Sequence, residues 1–156
     1  MSLKLWLRAE QFFAWRSAAL QVRDTSRIVH PMTGFVRGDC TYCGGLNFMF
    51  QHPAAQGAKR AAYELWRQCY WDTTSPLYGN AKPSAFVHDE FLMEVRDDPQ
   101  TIHGCTMRLQ HVMTDQMETV VRHVPCPTEA AVMRRWSKKA KPKFRNGLII
   151  PWEDAA

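Results

Sequence analysis

An α+β domain, with an antiparallel sheet packed on helices, is the fold class this sequence predicts. Two observations carry it. Segments with helical spacing and short apolar runs broken by turn residues follow in the order helix, hairpin, helix, hairpin, helix, strands. The 156 residues are 46% hydrophobic and 12% aromatic, with six Trp, which suits one buried core and excludes a disordered chain.

Residues 3–22 place Leu3, Trp6, Leu7, Phe13 and Leu20 at helical spacing, so residues 1–26 read as an N-terminal helical segment ahead of a main domain at 27–156. Arg27-Ile28-Val29 and Phe35-Val36-Arg37 flank a Pro/Gly turn and read as a short hairpin. A helix is expected from about Gly45 to Tyr70, where Ala54, Ala58, Ala61, Ala62 and Leu65 give it a small-residue face suited to close packing. Pro53 lacks an amide and crowds the carbonyl of Met49, so a kink or a helix start is expected there. Residues 72–84, rich in Ser, Thr, Pro and Gly, read as a loop. The apolar strands of FVHDEFLMEV, Phe86 to Val95, form a second hairpin about His88-Asp89-Glu90. Asp98-Pro99 opens a helix running to about Arg122, with Ile102, Cys105, Leu109, Val112, Met113, Met117 and Val120 on its apolar stripe. Residues 124–135 read as extended, and Asn146-Gly147 as a turn leading into Leu148-Ile149-Ile150.

Several classes are excluded. Lys4, Arg8 and Glu10 interrupt the first apolar stretch, so it is no secretion signal. No apolar run reaches the roughly 18 residues of a membrane span. Five cysteines form no disulfide framework, and reduced thiols in a cytoplasm are expected. Cys40 and Cys43 form a CxxC, but Cys69, Cys105 and Cys126 are too scattered to complete a zinc site. His103, His111 and His123 read as surface residues on or beside the last helix. The net charge is +5, with Arg134, Arg135, Lys138, Lys139, Lys141, Lys143 and Arg145 in one run. That run is either a solvated tail or a surface for a polyanion such as duplex phosphate.

The acids at the second hairpin are the main chemical signal. Two carboxylates at a tight bend between apolar strands suit a hard divalent cation such as magnesium, although an ordinary turn would also carry solvent-facing acids. Neighbouring strand residues point to opposite faces, so Asp89 is the first candidate ligand and Glu90 the second. One or two carboxylates hold magnesium poorly without further acids and substrate phosphates. Asn47 and Gln51, four apart, share a face if the preceding helix is continuous there. Their amides could donate to the minor-groove acceptors common to all correct base pairs, a contact that depends on pairing and not on sequence.

Taken in order, NFMFQHPAAQGAKRAAYELW and then AFVHDEFLMEV resemble the second conserved palm block and motif C of the family A (bacterial polymerase I-like) DNA polymerases. HVMTDQMETVV, HVPCPTEAAVMRRW and NGLIIPW are similar to the helix, strand and ending that follow motif C in phage-type members, and HPMTGFVRGDCTYCGGLN to the hairpin that precedes the palm block. The resemblance spans roughly residues 27 to 152 and implies a palm-type antiparallel sheet, incomplete without a partner chain. It puts Asp89 on the metal-binding motif C aspartate, Glu90 on the adjacent catalytic acid and His88 on the histidine near the primer end. Asn47 and Gln51 fall on the polar pair touching the primer–template duplex, and Arg37 and Lys59 complete the candidate DNA-binding set. Cys43 stands where many members carry arginine, His52-Pro53 where glycine is usual, and Gln56 where an acid is common.

The resemblance therefore implies a DNA-directed DNA polymerase subunit with two magnesium ions, primer–template DNA and deoxynucleotides as partners, in a cytoplasm (a bacterial host's if phage-encoded) and away from membranes. The motif A aspartate and the fingers helix find no match. Asp24-Thr25-Ser26-Arg27-Ile28 is superficially similar to motif A but sits where the family places its connecting hairpin. A second chain is expected to bring motif A and the fingers, because two-metal phosphoryl transfer needs acids from both motifs. Met1 ahead of this region gives the expectation of a natural separate subunit, with a piece of one longer polypeptide as the chemically equivalent alternative. A non-catalytic, polymerase-derived DNA-binding or scaffolding subunit is the second reading.

Overall fold

A computed structural model describes residues 27–31, 33–122 and 124–153, with the side chain of Tyr42 left aside. The helix expected at 3–22 lies outside the described residues. The chain divides into two compact units, Met1–Pro53 and Ala54–Ala156. The architecture is α+β, with two helices and three small antiparallel sheets among the described residues.

In the first unit, β1 (Ile28–Val29) pairs antiparallel with β2 (Val36–Arg37), Val29 opposite Val36. The His30 amide donates to the Phe35 carbonyl at 2.8 Å, and Gly34 takes the left-handed φ of 68° that the turn requires. Helix α1 spans Tyr42–Tyr70. It begins earlier than the expected Gly45 because the Thr41 hydroxyl accepts the Gly44 amide at 3.1 Å, which satisfies one of the open donors of the first turn. Pro53 neither starts nor ends the helix. It leaves the Met49 carbonyl without its helical donor, and the His30 Nε2 lies 3.3 Å from that oxygen as a replacement. His30 is 1% exposed, and a carbonyl only accepts, so the ring nitrogen there carries the proton. Around it Ile28, Cys40 and Phe48 are buried, with Met49 packed against them. The ring of Phe35 stacks on His52 at 4.6 Å.

In the second unit, β3 (Ala81–Val87) and β4 (Glu90–Val95) form a hairpin with a bulge between Pro83 and Ala85. Helix α2 spans Pro99–Val120, its amino end capped by the Asp98 carboxylate, which accepts the Thr101 amide at 2.9 Å. Strands β5 (Lys143–Arg145) and β6 (Leu148–Ile150) close on Asn146 and Gly147, both with positive φ, at 51° and 78°. That pair of angles is the type I′ hairpin turn that an Asn-Gly sequence favours.

The core joins Leu65 and Cys69 of α1, Leu77 and Ala81, and Cys105 and Val112 of α2, with Phe91, Met93 and Val95 of β4 laid over them. Gly57 of α1 lies against Met117 of α2. A Cβ there would stand 2.6 Å from Sδ of Met117, so only glycine fits the present spacing. A polar knot fixes the loop after α1. Buried Gln68 donates to Glu64 at 2.6 Å and accepts from Ser75 at 2.9 Å and from Arg108 at 2.7 Å. Arg67 binds Glu64 in a two-pronged pair and reaches Asp72 at 3.2 Å.

Three expectations are corrected. Strand β3 begins at Ala81, inside the 72–84 stretch expected to be a loop. The strands form three separate two-stranded ribbons, not one sheet. Residues 124–135 contribute one isolated bridge, Met133 with Trp152. Side chains take the place of a ladder in that segment: Gln110 of α2 donates to the Thr128 carbonyl at 3.0 Å, and the Thr128 hydroxyl donates back to the Gln110 carbonyl at 3.2 Å.

Candidate functional site

The hairpin of β3 and β4 sets the candidate site. Val87 pairs with Glu90, so His88 and Asp89 alone make the turn. His88 holds a left-handed φ of 58°, a conformation that costs a side-chain-bearing residue energy and that the two-residue turn demands. His88, Asp89 and Glu90 are all exposed. Strand alternation puts Glu90 on one face of the ribbon with Leu92 and Glu94, while Phe91, Met93 and Val95 cover the core on the other. Asp89 stands at the bend between them. Phe86 stacks on Phe91 at 4.5 Å, which stiffens the ribbon just below its tip.

The donor chemistry suits a hard cation: carboxylate oxygens at an exposed tip. The number of donors is small. Among the described residues no three His, Cys, Asp or Glu side chains are gathered where they could hold a metal ion. Asp89 and Glu90 also border an open groove of about 760 Å³. Leu92 and Met93 of β4, Met113 of α2, and Met133 and Trp136 of the following segment line it.

The other predicted residues fall as follows. Asn47 and Gln51 are exposed on α1, in the first unit, whereas the acids belong to the second. Arg37 is exposed, with its guanidinium 5.8 Å from the centre of the Phe48 ring. Lys59 is exposed on α1 in the second unit. Within the basic run, Arg134 pairs with Asp97 at 2.8 Å, and Arg135, Lys138, Lys139, Lys141, Lys143 and Arg145 are exposed.

The cysteines are all free. Cys40 is packed in the core of the first unit, and burial pushes the Cys69 thiol up to about 11, which keeps it protonated and unreactive. His103 accepts the Ile149 amide at 3.4 Å and His111 lies 3.1 Å from Asp115, so both have structural partners; His123 lies outside the described residues.

One group of residues was not singled out in the sequence. Tyr63, Trp66, Tyr70 and Trp71 form an exposed aromatic cluster on the second half of α1 and just past its end. Its signal was available as aromatics three and four residues apart, but the alanine face of the same helix is the more regular pattern.

No protein-family description matches this chain, and no curated protein or solved structure is significantly similar to it.

Proposed function

We propose that this chain is the C-terminal palm subunit of a split family A DNA polymerase, supplying the motif C acids for template-directed synthesis. A second polypeptide brings motif A and the fingers. The observation that carries the reading is the exposed two-residue turn of the β3–β4 hairpin, with Asp89 at its tip and Glu90 beside it. A carboxylate meant to meet an ion, a nucleotide and a second acid must project from a stiff support into open space.

Asp89 and Glu90 would hold magnesium jointly with the motif A aspartate. When bound, magnesium would supply charge neutralisation at the nucleotide phosphates and lower the cost of ionising the primer 3′-hydroxyl. Asp89 fixes position by its place at the bend. Glu90 acts as second ligand or outer-sphere partner, and His88 lies toward the primer end. Asn47 and Gln51 meet the minor groove, and Arg37, Lys59 and the basic run meet phosphates without reading sequence. The apolar groove beside β4 offers a seat for the second polypeptide's strand.

In the complex reconstituted with that polypeptide, Asp89→Ala is expected to slow primer extension on the order of a thousandfold, the equivalent of several kcal/mol of lost transition-state stabilisation. Extension at the unsubstituted rate would sink the catalytic role, and extension by this chain alone would refute the shared site.

A non-catalytic DNA-binding or scaffolding subunit is the second reading. Cys43, His52 and Pro53, where this sequence departs from the family, favour it. His52 is buried against Phe35 and Phe48, so a position the family leaves to glycine here serves packing. The same Asp89→Ala experiment separates the two, because a scaffold loses nothing.

A further inference from the structure

Helix α1 is apolar on two sides. Its core side carries Ala61, Leu65 and Cys69, all buried. At about 100° per residue, Lys59, Tyr63, Trp66 and Tyr70 fall within an arc of about 60° centred roughly 130° around the helix from that core side. The three aromatics are exposed, Tyr63 to 63%, and Trp71 at the helix end is 61% exposed. The rings already touch: Trp66 meets Tyr70 at 5.4 Å and the edge of Trp71 at 4.4 Å. A solvent-facing row of large aromatics on a soluble helix face is unusual enough to need a user.

Charge identifies the user. Lys59 is exposed and forms no ion pair among the described residues, and neighbouring Arg60 donates only to the Thr119 hydroxyl, at 3.2 Å. The acids of the same stretch are committed elsewhere: Glu64 to Arg67 and Gln68, Asp72 to Arg67 and Thr74. Those hydrogen bonds, Arg67 first for Glu64 and Thr74 first for Asp72, hold both carboxyls below their usual range, so they remain paired. Lys59 and Arg60, neither paired with an acid among the described residues, stand at one end of an aromatic row on a chain of net charge +5, which matches a polyanion with flat apolar faces.

We infer that the Lys59–Tyr63–Trp66–Tyr70–Trp71 stripe binds single-stranded nucleic acid, with the rings stacking on unpaired bases and Lys59 and Arg60 meeting the phosphates. The row is about 16 Å long from Lys59 to Tyr70, room for a few nucleotides. Stacking accepts every base, so the surface does not select sequence, and a duplex, whose bases are already stacked, binds it less well.

The test is a titration of the whole chain with a fluorescent oligothymidine and with a blunt duplex of equal length, at several salt concentrations. The stripe is expected to add affinity for the single strand and none for the duplex, so its variants weaken only the first. Tyr63→Ala and Trp71→Ala, each at an exposed position, are expected to weaken it on the order of tenfold each. Lys59→Ala should reduce the slope of log affinity against log salt by about one. Thermal unfolding at the parent temperature checks that each variant is folded. Unchanged oligothymidine affinity in both aromatic variants, or an equal loss of duplex affinity in them, overturns the inference. So does a Trp71→Ala variant that loses self-association while its oligothymidine affinity stays, because the stripe is then a protein contact. Asp89→Ala is expected to leave this binding untouched, so the inference stands or falls separately from the polymerase reading.

Discussion

Asp98 holds the amino end of α2 through Thr101, whose hydroxyl and amide keep the carboxyl below its usual range. Its folded-state value is depressed, so the stability it contributes is complete above the unfolded value near 3.9 and is lost as pH falls through the lower folded value. Asparagine caps a helix about as well but does not titrate. In urea melts from pH 6 to pH 3, the advantage of the parent over Asp98→Asn is therefore expected to shrink at the acid end. A constant difference would show that the charge plays no part. This cap was legible in the sequence, because Asp followed by Pro states both halves of a helix start. The cap at Thr41 was not. Its hydroxyl accepts the Gly44 amide, but the two glycines that follow, Gly44 and Gly45, argue against helix locally and hid the true beginning. At the candidate site, the identity of the acids and the turn could be read from HDE between apolar runs. The left-handed backbone of His88 could not, since histidine, although found in that region more often than most residues, does not require it.

Among the elements, α1 and α2 meet at Gly57 and Met117, and the two helices compete there with their own propensities. Alanine in place of glycine favours helix by about 1 kcal/mol in an exposed position. Here the added Cβ would meet the Met117 side chain at 2.6 Å and its Cα at 3.2 Å. The thioether can swing away, but the backbone contact must give, and overpacking of this kind costs about 1–3 kcal/mol. Gly57→Ala is therefore expected to destabilise the chain by about 1 kcal/mol net in chemical denaturation. Met117→Ala should cost stability alone, and the double variant should be more stable than the sum of the two losses, with a coupling of about 1 kcal/mol. Additive losses would mean that the helices do not meet as closely as Gly57 indicates. The small-residue face of α1 was visible as recurring alanines, but the glycine that sets the spacing was not part of that pattern. The polar knot on Gln68 was equally hidden, because its partners Glu64, Ser75 and Arg108 come from two helices and a loop and share no spacing.

At the scale of the whole molecule, the class of fold followed from the order of elements, and the pairing of strands did not. Each of the three hairpins was marked by its turn residues, which are local. Whether hairpins join into one sheet depends on edges meeting in space, for which the sequence carries no comparable sign. The result is three two-stranded ribbons, so every described strand keeps one unpaired edge. An isolated ribbon is marginal in water and survives by packing on a helix, as β4 does on α2. Its free edge remains a template for another chain. The β4 edge is the most exposed to this risk, because Leu92 lies beside an open groove lined by Met93, Met113, Met133 and Trp136. The chain alone is therefore expected to sediment as concentration-dependent oligomers. Leu92→Lys, which places a charge on the ribbon face away from the core, should shift it toward monomer while leaving the helical circular dichroism unchanged. A single monomeric species in the parent chain across the accessible concentration range would show that the ribbon edges are satisfied within one molecule, and the need for a second polypeptide beside β4 would lose its physical basis.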